Sequence, residues 1–153
     1  MRDRLLLITA VAALTLGAAG FAVAANETDD ADQADAAQAT EPIPEDAALA
    51  TFAGGCFWCT EAAFERTEGV YEAISGFTGG TVEDPTYEQV VTGTTGHAEA
   101  AQIWYDPAVI SYDELLTIYW RTIDPTDADG QRFDRGPQYR TAIFYHDDEQ
   151  REL

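Results

Sequence analysis

The first third of this 153-residue chain is unsuited to a hydrophobic core, so a folded domain has to be built from the rest. Arg2 and Arg4 precede an apolar run over residues 5–23, and small residues fill positions 22–25. This layout is typical of a secretory signal peptide. The run also approaches the ~20 residues of a membrane-spanning helix. We therefore expect residues 1–25 to direct export to the periplasm or the extracellular space, with a retained membrane anchor over residues 5–23 as the alternative.

Residues 26–48 are rich in Ala, Asp, Glu, Gln, Thr and Pro and contain almost no bulky apolar side chains. Such a segment cannot bury enough surface to offset the conformational entropy of its backbone. We expect residues 26–48 to form an acidic disordered linker and residues 49–153 to form one folded domain. The size of that segment suits a single small domain.

The negative charge of the domain argues against nucleic acids as partners. From Ala50 onward the chain has 19 acidic residues, six Arg and no Lys. Nucleic acids are polyanions that are bound mainly through Lys and Arg, so a nucleic-acid partner is disfavoured. We expect a monomer that contacts a membrane only if the N-terminal segment is retained.

Local patterns predict alternating strands and helices along the domain. Ser111 and Glu114 match the capping box that starts a helix, and the apolar residues that follow keep a helical period. The other elements are predicted from alternation, glycine turns and helical spacing: strands over 50–53, 70–77, 97–105 and 139–145, and helices over 56–66, 85–91 and from 147. This order predicts an α+β two-layer sandwich in which helices pack on a mainly antiparallel, ferredoxin-like sheet.

The two cysteines, Cys56 and Cys59, form a Cys-Phe-Trp-Cys unit at the start of a predicted helix. A thiol there faces unpaired backbone N–H groups and the positive end of the helix dipole, which both favour the thiolate. The short loop between them would stabilise the fold little as a structural disulfide, so a redox role is favoured. A zinc site with His97 and His146 is the remaining alternative, although the spacing fits no common zinc motif.

Glu99 lies among small residues in a strand that otherwise carries apolar side chains. Such surroundings favour the protonated carboxyl group, which could then donate a proton. The alternative is a solvated strand glutamate. Tyr87 and Tyr139 could hydrogen-bond a polar oxygen, and Phe57 with Trp58 could wall an apolar pocket. Ordinary packing is the alternative for these aromatic residues.

Six short motifs resemble those of the A-class peptide methionine sulfoxide reductases, in the same order. They are Gly54-Gly55-Cys56-Phe57-Trp58, Gly76-Phe77-Thr78-Gly79-Gly80, Pro85-Thr86-Tyr87, Thr95-Gly96-His97-Ala98-Glu99, Tyr105-Asp106-Pro107 and Gly136-Pro137-Gln138-Tyr139-Arg140. The resemblance implies reduction of the S epimer of methionine sulfoxide, either free or in oxidised proteins. Cys56 would attack the sulfoxide sulfur and become a sulfenic acid, and Glu99 would protonate the oxygen.

The resemblance implies a substrate-binding role for five further side chains. Tyr87 and Tyr139 would hydrogen-bond the sulfoxide oxygen, and Asp134 would support binding through its neighbouring network. Phe57 and Trp58 would hold the methyl group of the substrate. No bound cofactor or metal is implied, and thioredoxin or another thiol would serve as the reductant.

This chain departs from the family pattern at two places. Cys59 stands where most members have Gly, and no later cysteine follows, so the resemblance implies that Cys59 resolves the sulfenic acid on Cys56. Members continue beyond the point that corresponds to Leu153, and we therefore expect the domain to be truncated at its C-terminal side. A thioredoxin-like disulfide oxidoreductase and an inactive truncated binding domain are the alternative functions.

Overall fold

The computed structural model describes residues 42–153. The signal peptide predicted over residues 1–25 and most of the predicted linker lie outside the described residues. The elements follow one another in the order β1 Ala48–Gly54, α1 Phe57–Phe64, β2 Val70–Thr78, α2 Tyr87–Val90, β3 Ala98–Tyr105, α3 Tyr112–Thr122, β4 Gly130–Gln131, β5 Asp134–Arg135, a 3-10 helix Pro137–Tyr139, β6 Thr141–Phe144 and α4 Asp148–Glu152. None of the helices between residues 42 and 153 is long and apolar enough to cross a bilayer.

Four strands form one sheet in the order β2-β3-β1-β6, and each neighbouring pair in it is antiparallel. Strand β3 lies between β1 and β2, which α1 connects, as in a split β-α-β unit. The predicted α+β fold with an antiparallel, ferredoxin-like sheet is therefore confirmed. Alternation of side chains along the strands turns one set towards the helices.

The hydrophobic core lies between the sheet and helices α1 and α3. Phe52 of β1 and Ile103 of β3 are fully buried against Phe64 of α1 and Leu115 and Tyr119 of α3. The ring centroids of Phe52 and Tyr119 are 4.9 Å apart in a stacked arrangement. This packing fixes both helices on the same face of the sheet.

Helix α3 begins where the capping box predicts. The Glu114 N–H donates to Ser111 Oγ, and the Ser111 N–H donates to Glu114 Oε2 at 2.9 Å. Thr86 and Gln89 form a second capping box at the start of α2, within the segment predicted to be helical. Both boxes satisfy backbone donors that have no partner inside a helix.

Two features near the C-terminus differ from the predictions. Tyr139 was expected in a strand, but it ends the 3-10 helix, and β6 begins only at Thr141. The reason is local, because Pro137 has a fixed φ at the first helical position and follows Gly136, whose φ is +122°. The β4–β5 hairpin was not predicted, because strands of two residues carry no periodic pattern.

Candidate active site

The turn between β1 and α1 places Cys56 at the N-cap of α1. Gly55 has a φ of +88°, and a Cβ atom added there would lie 2.6 Å from Cβ of Gln131. Only glycine fits such a position without strain. The Cys56 carbonyl accepts hydrogen bonds from the N–H groups of Cys59 at 3.0 Å and Thr60 at 3.2 Å. The thiol is half-buried at the first turn of the helix.

Glu99 of β3 reaches the same helix end from the sheet. Its side chain is 2% exposed, and its Oε2 accepts a hydrogen bond from the Phe57 N–H at 3.1 Å. Burial raises the pKa of Glu99, the Asp134 carboxylate raises it further, and the Phe57 N–H opposes both. The protonated acid is thus favoured one residue away from the Cys56 thiol.

Cys59 lies one helical turn after Cys56, and both cysteines are free thiols. Cys59 is exposed, but partial burial of its thiol raises its pKa, as do the charge of the neighbouring Cys56, a hydrogen bond with Cys56 and the charge of Asp134. The Arg132 guanidinium acts in the opposite direction. Cys59 lies three residues after the N-cap Cys56 and is the more accessible of the pair.

A cluster of aromatic rings flanks the thiol and the carboxyl group. The buried ring of Phe57 lies 5.2 Å from the Trp58 ring, 5.6 Å from the Phe77 ring and 6.3 Å from the Tyr87 ring, measured between centroids. Trp58 is 61% exposed, so the cluster opens to solvent there. It provides an apolar wall beside Glu99.

Phe77 is a member of this cluster that the sequence analysis missed. It lies opposite Glu99 in the register of β2 with β3, which places both side chains on the helix-covered face. Composition could not single it out among seven Phe, but Phe77 lies within the Gly76-Phe77-Thr78-Gly79-Gly80 motif, which was the available signal.

Tyr139 and Asp134 complete the site from the C-terminal segment. Burial raises the pKa of Tyr139, followed by the charges of Glu99, Tyr87 and Asp134. Asp134 pairs with Gln131 across the β4–β5 hairpin, and Gln131 lies against Gly55, the residue before Cys56. The charge of Asp134 raises the pKa values of Glu99 and Cys59. The structure thus brings all eight predicted site residues together at one end of the sheet.

Two polar side chains, the half-buried His97 and the buried Gln138, hold the loops around this site. The Gly80 N–H donates to Nδ1 of His97, whose Nε2 donates to the Val82 carbonyl at 2.8 Å. Gln138 donates from Nε2 to the Val91 carbonyl at 3.2 Å, which ties the 3-10 helix to α2. These bonds fix the loop that precedes α2 and the C-terminal end of α2, the helix that begins at Tyr87. Gln138 belongs to the Gly136-Pro137-Gln138-Tyr139-Arg140 motif, but its bond to Val91 could not be predicted from that motif.

The zinc alternative of the sequence analysis has no matching cluster. Within residues 42–153, no group of three or more His, Cys, Asp or Glu side chains is placed to hold a metal ion. His146 Nε2 instead makes a hydrogen bond with Thr51 Oγ1 at 2.8 Å. His97 is occupied by its two bonds to the loop.

This arrangement combines a thiol nucleophile, a proton donor and an apolar wall. The carboxyl group of Glu99 and the hydroxyl groups of Tyr87 and Tyr139 can donate hydrogen bonds to an oxygen near the Cys56 sulfur. A polar oxygen on an otherwise apolar group would suit such a site. A second thiol, Cys59, is placed to react with an oxidised first thiol.

Known proteins share this sequence and fold. Residues 48–153 match the family model described as peptide methionine sulfoxide reductase. The peptide methionine sulfoxide reductase MsrA of Halalkalibacterium halodurans is 60% identical over 104 residues, which cover 68% of this chain and 59% of the relative. This chain therefore spans less than two thirds of the length of that relative.

Solved structures agree with the sequence match. Methionine sulfoxide reductase A of Corynebacterium diphtheriae is 34% identical with a TM-score of 0.67, over 70% of this chain and 50% of that chain. Mxr1 of Saccharomyces cerevisiae, solved in complex with Trx2, is 26% identical with a TM-score of 0.51, over 75% of this chain and 66% of that chain. With the match of the family model to residues 48–153, these likenesses establish that the chain belongs to the peptide methionine sulfoxide reductase family.

Proposed function

We propose that this protein reduces the S epimer of methionine sulfoxide, free or in oxidised proteins, to methionine. The observation that carries the proposal is the buried Glu99, hydrogen-bonded to the Phe57 N–H at the start of the Cys56 helix. Membership of the family supports the substrate class. The preference for the S epimer rests on the resemblance of the motifs to the A class of that family.

In the first step, the Cys56 sulfur attacks the sulfoxide sulfur while Glu99 donates a proton to the oxygen. Tyr87 and Tyr139 stabilise the charge on that oxygen through hydrogen bonds. The oxygen is transferred to Cys56, so that methionine leaves and Cys56 becomes a sulfenic acid. Phe57 and Trp58 hold the methyl group, because a methyl thioether is apolar.

In the second step, the Cys59 thiol attacks the sulfenic sulfur of Cys56. A disulfide forms, and the hydroxyl group of the sulfenic acid leaves as water. A dithiol reductant then supplies two electrons and two protons and returns both cysteines to thiols. The complex of Mxr1 with Trx2 supports a thioredoxin-like protein as this reductant.

Turnover of separate S and R epimers of a methionine-sulfoxide peptide with dithiothreitol tests the reaction. We expect turnover of the S epimer alone and its loss in Cys56→Ser. When only thioredoxin is supplied, Cys59→Ser should form one methionine per protein and then stop, because the sulfenic acid has no resolving thiol. Equal use of both epimers, or activity of Cys56→Ser, would contradict the proposal. Disulfide exchange without sulfoxide reduction would favour a thioredoxin-like oxidoreductase.

We also propose that the protein is exported to the periplasm or the extracellular space. Support comes from the two N-terminal Arg residues, the apolar run over residues 5–23 and the small residues that follow it. Sequencing the N-terminus of the mature protein tests this. A new N-terminus near residue 25 is expected, whereas an intact N-terminus in a membrane fraction would indicate an anchor.

A further inference from the structure

The tip of the β4–β5 hairpin exposes an aromatic side chain. Gln131 pairs with Asp134 across the hairpin, so Arg132 and Phe133 are its two turn residues. Phe133 is 98% exposed. Among the exposed large apolar side chains between residues 42 and 153 it is the most exposed, so its whole ring is available to a partner.

The conformation of the hairpin is tightly fixed. Both carboxylate oxygens of Asp127 accept hydrogen bonds from Arg135 Nη1, at 2.8 and 2.7 Å, and Arg135 Nη2 donates to the Arg132 carbonyl at 2.8 Å. The buried Gln131 side chain exchanges hydrogen bonds with the backbone of Asp124 at 2.7 and 2.9 Å. Phe133 is thus presented by a rigid turn.

The same hairpin borders the two cysteines. Gln131 lies so close to Gly55 that a Cβ atom there would overlap it, and Gly55 immediately precedes Cys56. Arg132 and Asp134, the residues on either side of Phe133, both act electrostatically on the Cys59 thiol. The hairpin that carries Phe133 therefore lies beside the turn that leads into the two cysteines.

The chemistry of recycling requires a molecule at Cys59. In the Cys56–Cys59 disulfide, the exposed Cys59 sulfur is more accessible to an external thiolate than the half-buried Cys56 sulfur. Attack there breaks the disulfide, forms a mixed disulfide with Cys59 and releases Cys56 as a thiolate. The second thiol of the reductant then attacks its own sulfur in the mixed disulfide, so that Cys59 leaves reduced and the reductant carries the disulfide.

A mixed disulfide brings the two backbones close together. The Cα atoms of disulfide-bonded cysteines lie about 4.4–6.8 Å apart, so a protein bonded to Cys59 must cover its surroundings. The ring of Phe57 stacks with the rings of Phe77 and Tyr87, and these three rings line the proposed sulfoxide site. Phe133 is not part of that stack, which leaves it free to contact the reductant.

We propose that the Arg132–Phe133 tip is the docking surface for the protein dithiol that reduces the Cys56–Cys59 disulfide. The proposal rests on the proposed function. The expected partner has an apolar surface around the more exposed of its two thiols, against which the Phe133 ring packs. The complex of a related protein with Trx2 is consistent with a reductant of this kind.

Reduction of the preformed Cys56–Cys59 disulfide, followed as free thiol, tests the surface without any sulfoxide. We expect Phe133→Ala to lower the second-order rate constant with thioredoxin by about tenfold or more, as for loss of an aromatic anchor. With dithiothreitol, which is too small to contact the tip, the rate should stay within about twofold of the wild type. Phe133→Leu should recover part of the loss.

The matched control is Val109→Ala, which removes an exposed apolar side chain from the turn between β3 and α3, beyond the end of β3 opposite to Glu99, and should leave both rates unchanged. An unchanged thioredoxin rate in Phe133→Ala would overturn the proposal, and so would equal losses with both reductants. A higher KM for an oxidised protein substrate, with the thioredoxin rate intact, would assign the tip to the substrate instead. Failure of the proposed function would appear separately, as absence of sulfoxide turnover with dithiothreitol in the wild type.

Discussion

Replacing Glu99 by Gln isolates the proton that the proposed reaction needs. Gln keeps the size of Glu, and its Oε1 can still accept the Phe57 N–H bond, so the backbone contact is retained. Only the acidic proton is lost. Because Glu99 is 2% exposed, bulk water has little access to replace that proton. General acid catalysis contributes about 10²–10⁴-fold, so kcat should fall by that factor, or about 2.7–5.5 kcal/mol of activation free energy.

The pH dependence provides a sharper test than the rate at one pH. The pKa of Glu99 is raised above its ordinary value of 4.5, and the acid is the active form. Wild-type turnover should therefore lose the contribution of Glu99 as the pH rises through that raised pKa. The Glu99→Gln variant should lack this alkaline decline. We would measure single-turnover formation of methionine from the S epimer from about pH 5 upwards, above the ordinary pKa of a glutamate.

Stability measurements check that the variant is folded. A carboxyl group whose pKa is raised by folding binds its proton more tightly in the folded state than in the unfolded state. The free energy of unfolding of the wild type therefore falls as the pH rises from the ordinary pKa through the raised pKa, and it recovers as the pH falls. At neutral pH the Glu99→Gln variant should be at least as stable as the wild type, and the difference should shrink towards acidic pH. A folded variant with wild-type turnover and the same alkaline decline would refute the assignment of Glu99 as the proton donor.

Two further predictions concern the scaffold of the site. Gly55→Ala should lower the free energy of unfolding by about 1–3 kcal/mol, because the added Cβ atom would sit at a positive φ and clash with Gln131. In the control Gly76→Ala, no atom lies within 4 Å of the added Cβ atom. Urea denaturation compares the two variants, and equal losses of stability would contradict the argument. Tyr119→Phe should lower the free energy of unfolding by about 1 kcal/mol, because the Tyr119 hydroxyl group donates a hydrogen bond to the Ala53 carbonyl at 2.8 Å. An unchanged midpoint of urea denaturation would show that this bond contributes nothing to stability.

Elements whose stabilising interactions are local were predictable from the sequence. Helix α3 begins at its capping box because Ser111 and Glu114 exchange hydrogen bonds three residues apart. The β1 strand, glycine turn and α1 helix follow from short-range patterns in the same way. The family motifs added candidate site residues such as Glu99, Tyr87 and Tyr139, since they mark positions by sequence.

Features that depend on distant parts of the chain required the tertiary structure. Glu99 and the Phe57 N–H are 42 positions apart, and their hydrogen bond exists only because β3 passes beside the start of α1. The place of Phe77 next to Glu99 depends on the register of two strands. The exposure of Phe133 depends on a hairpin whose strands contain two residues each.

The sequence by itself thus determined which residues could react, because chemical identity and helix starts are local properties. The tertiary structure alone decided which pKa values are raised and which side chains form one pocket, since burial and charge neighbours come from different elements. It also decided which aromatic ring remains in solvent. Each of those outcomes depends on packing between segments far apart in the chain, and no short window of sequence contains both partners.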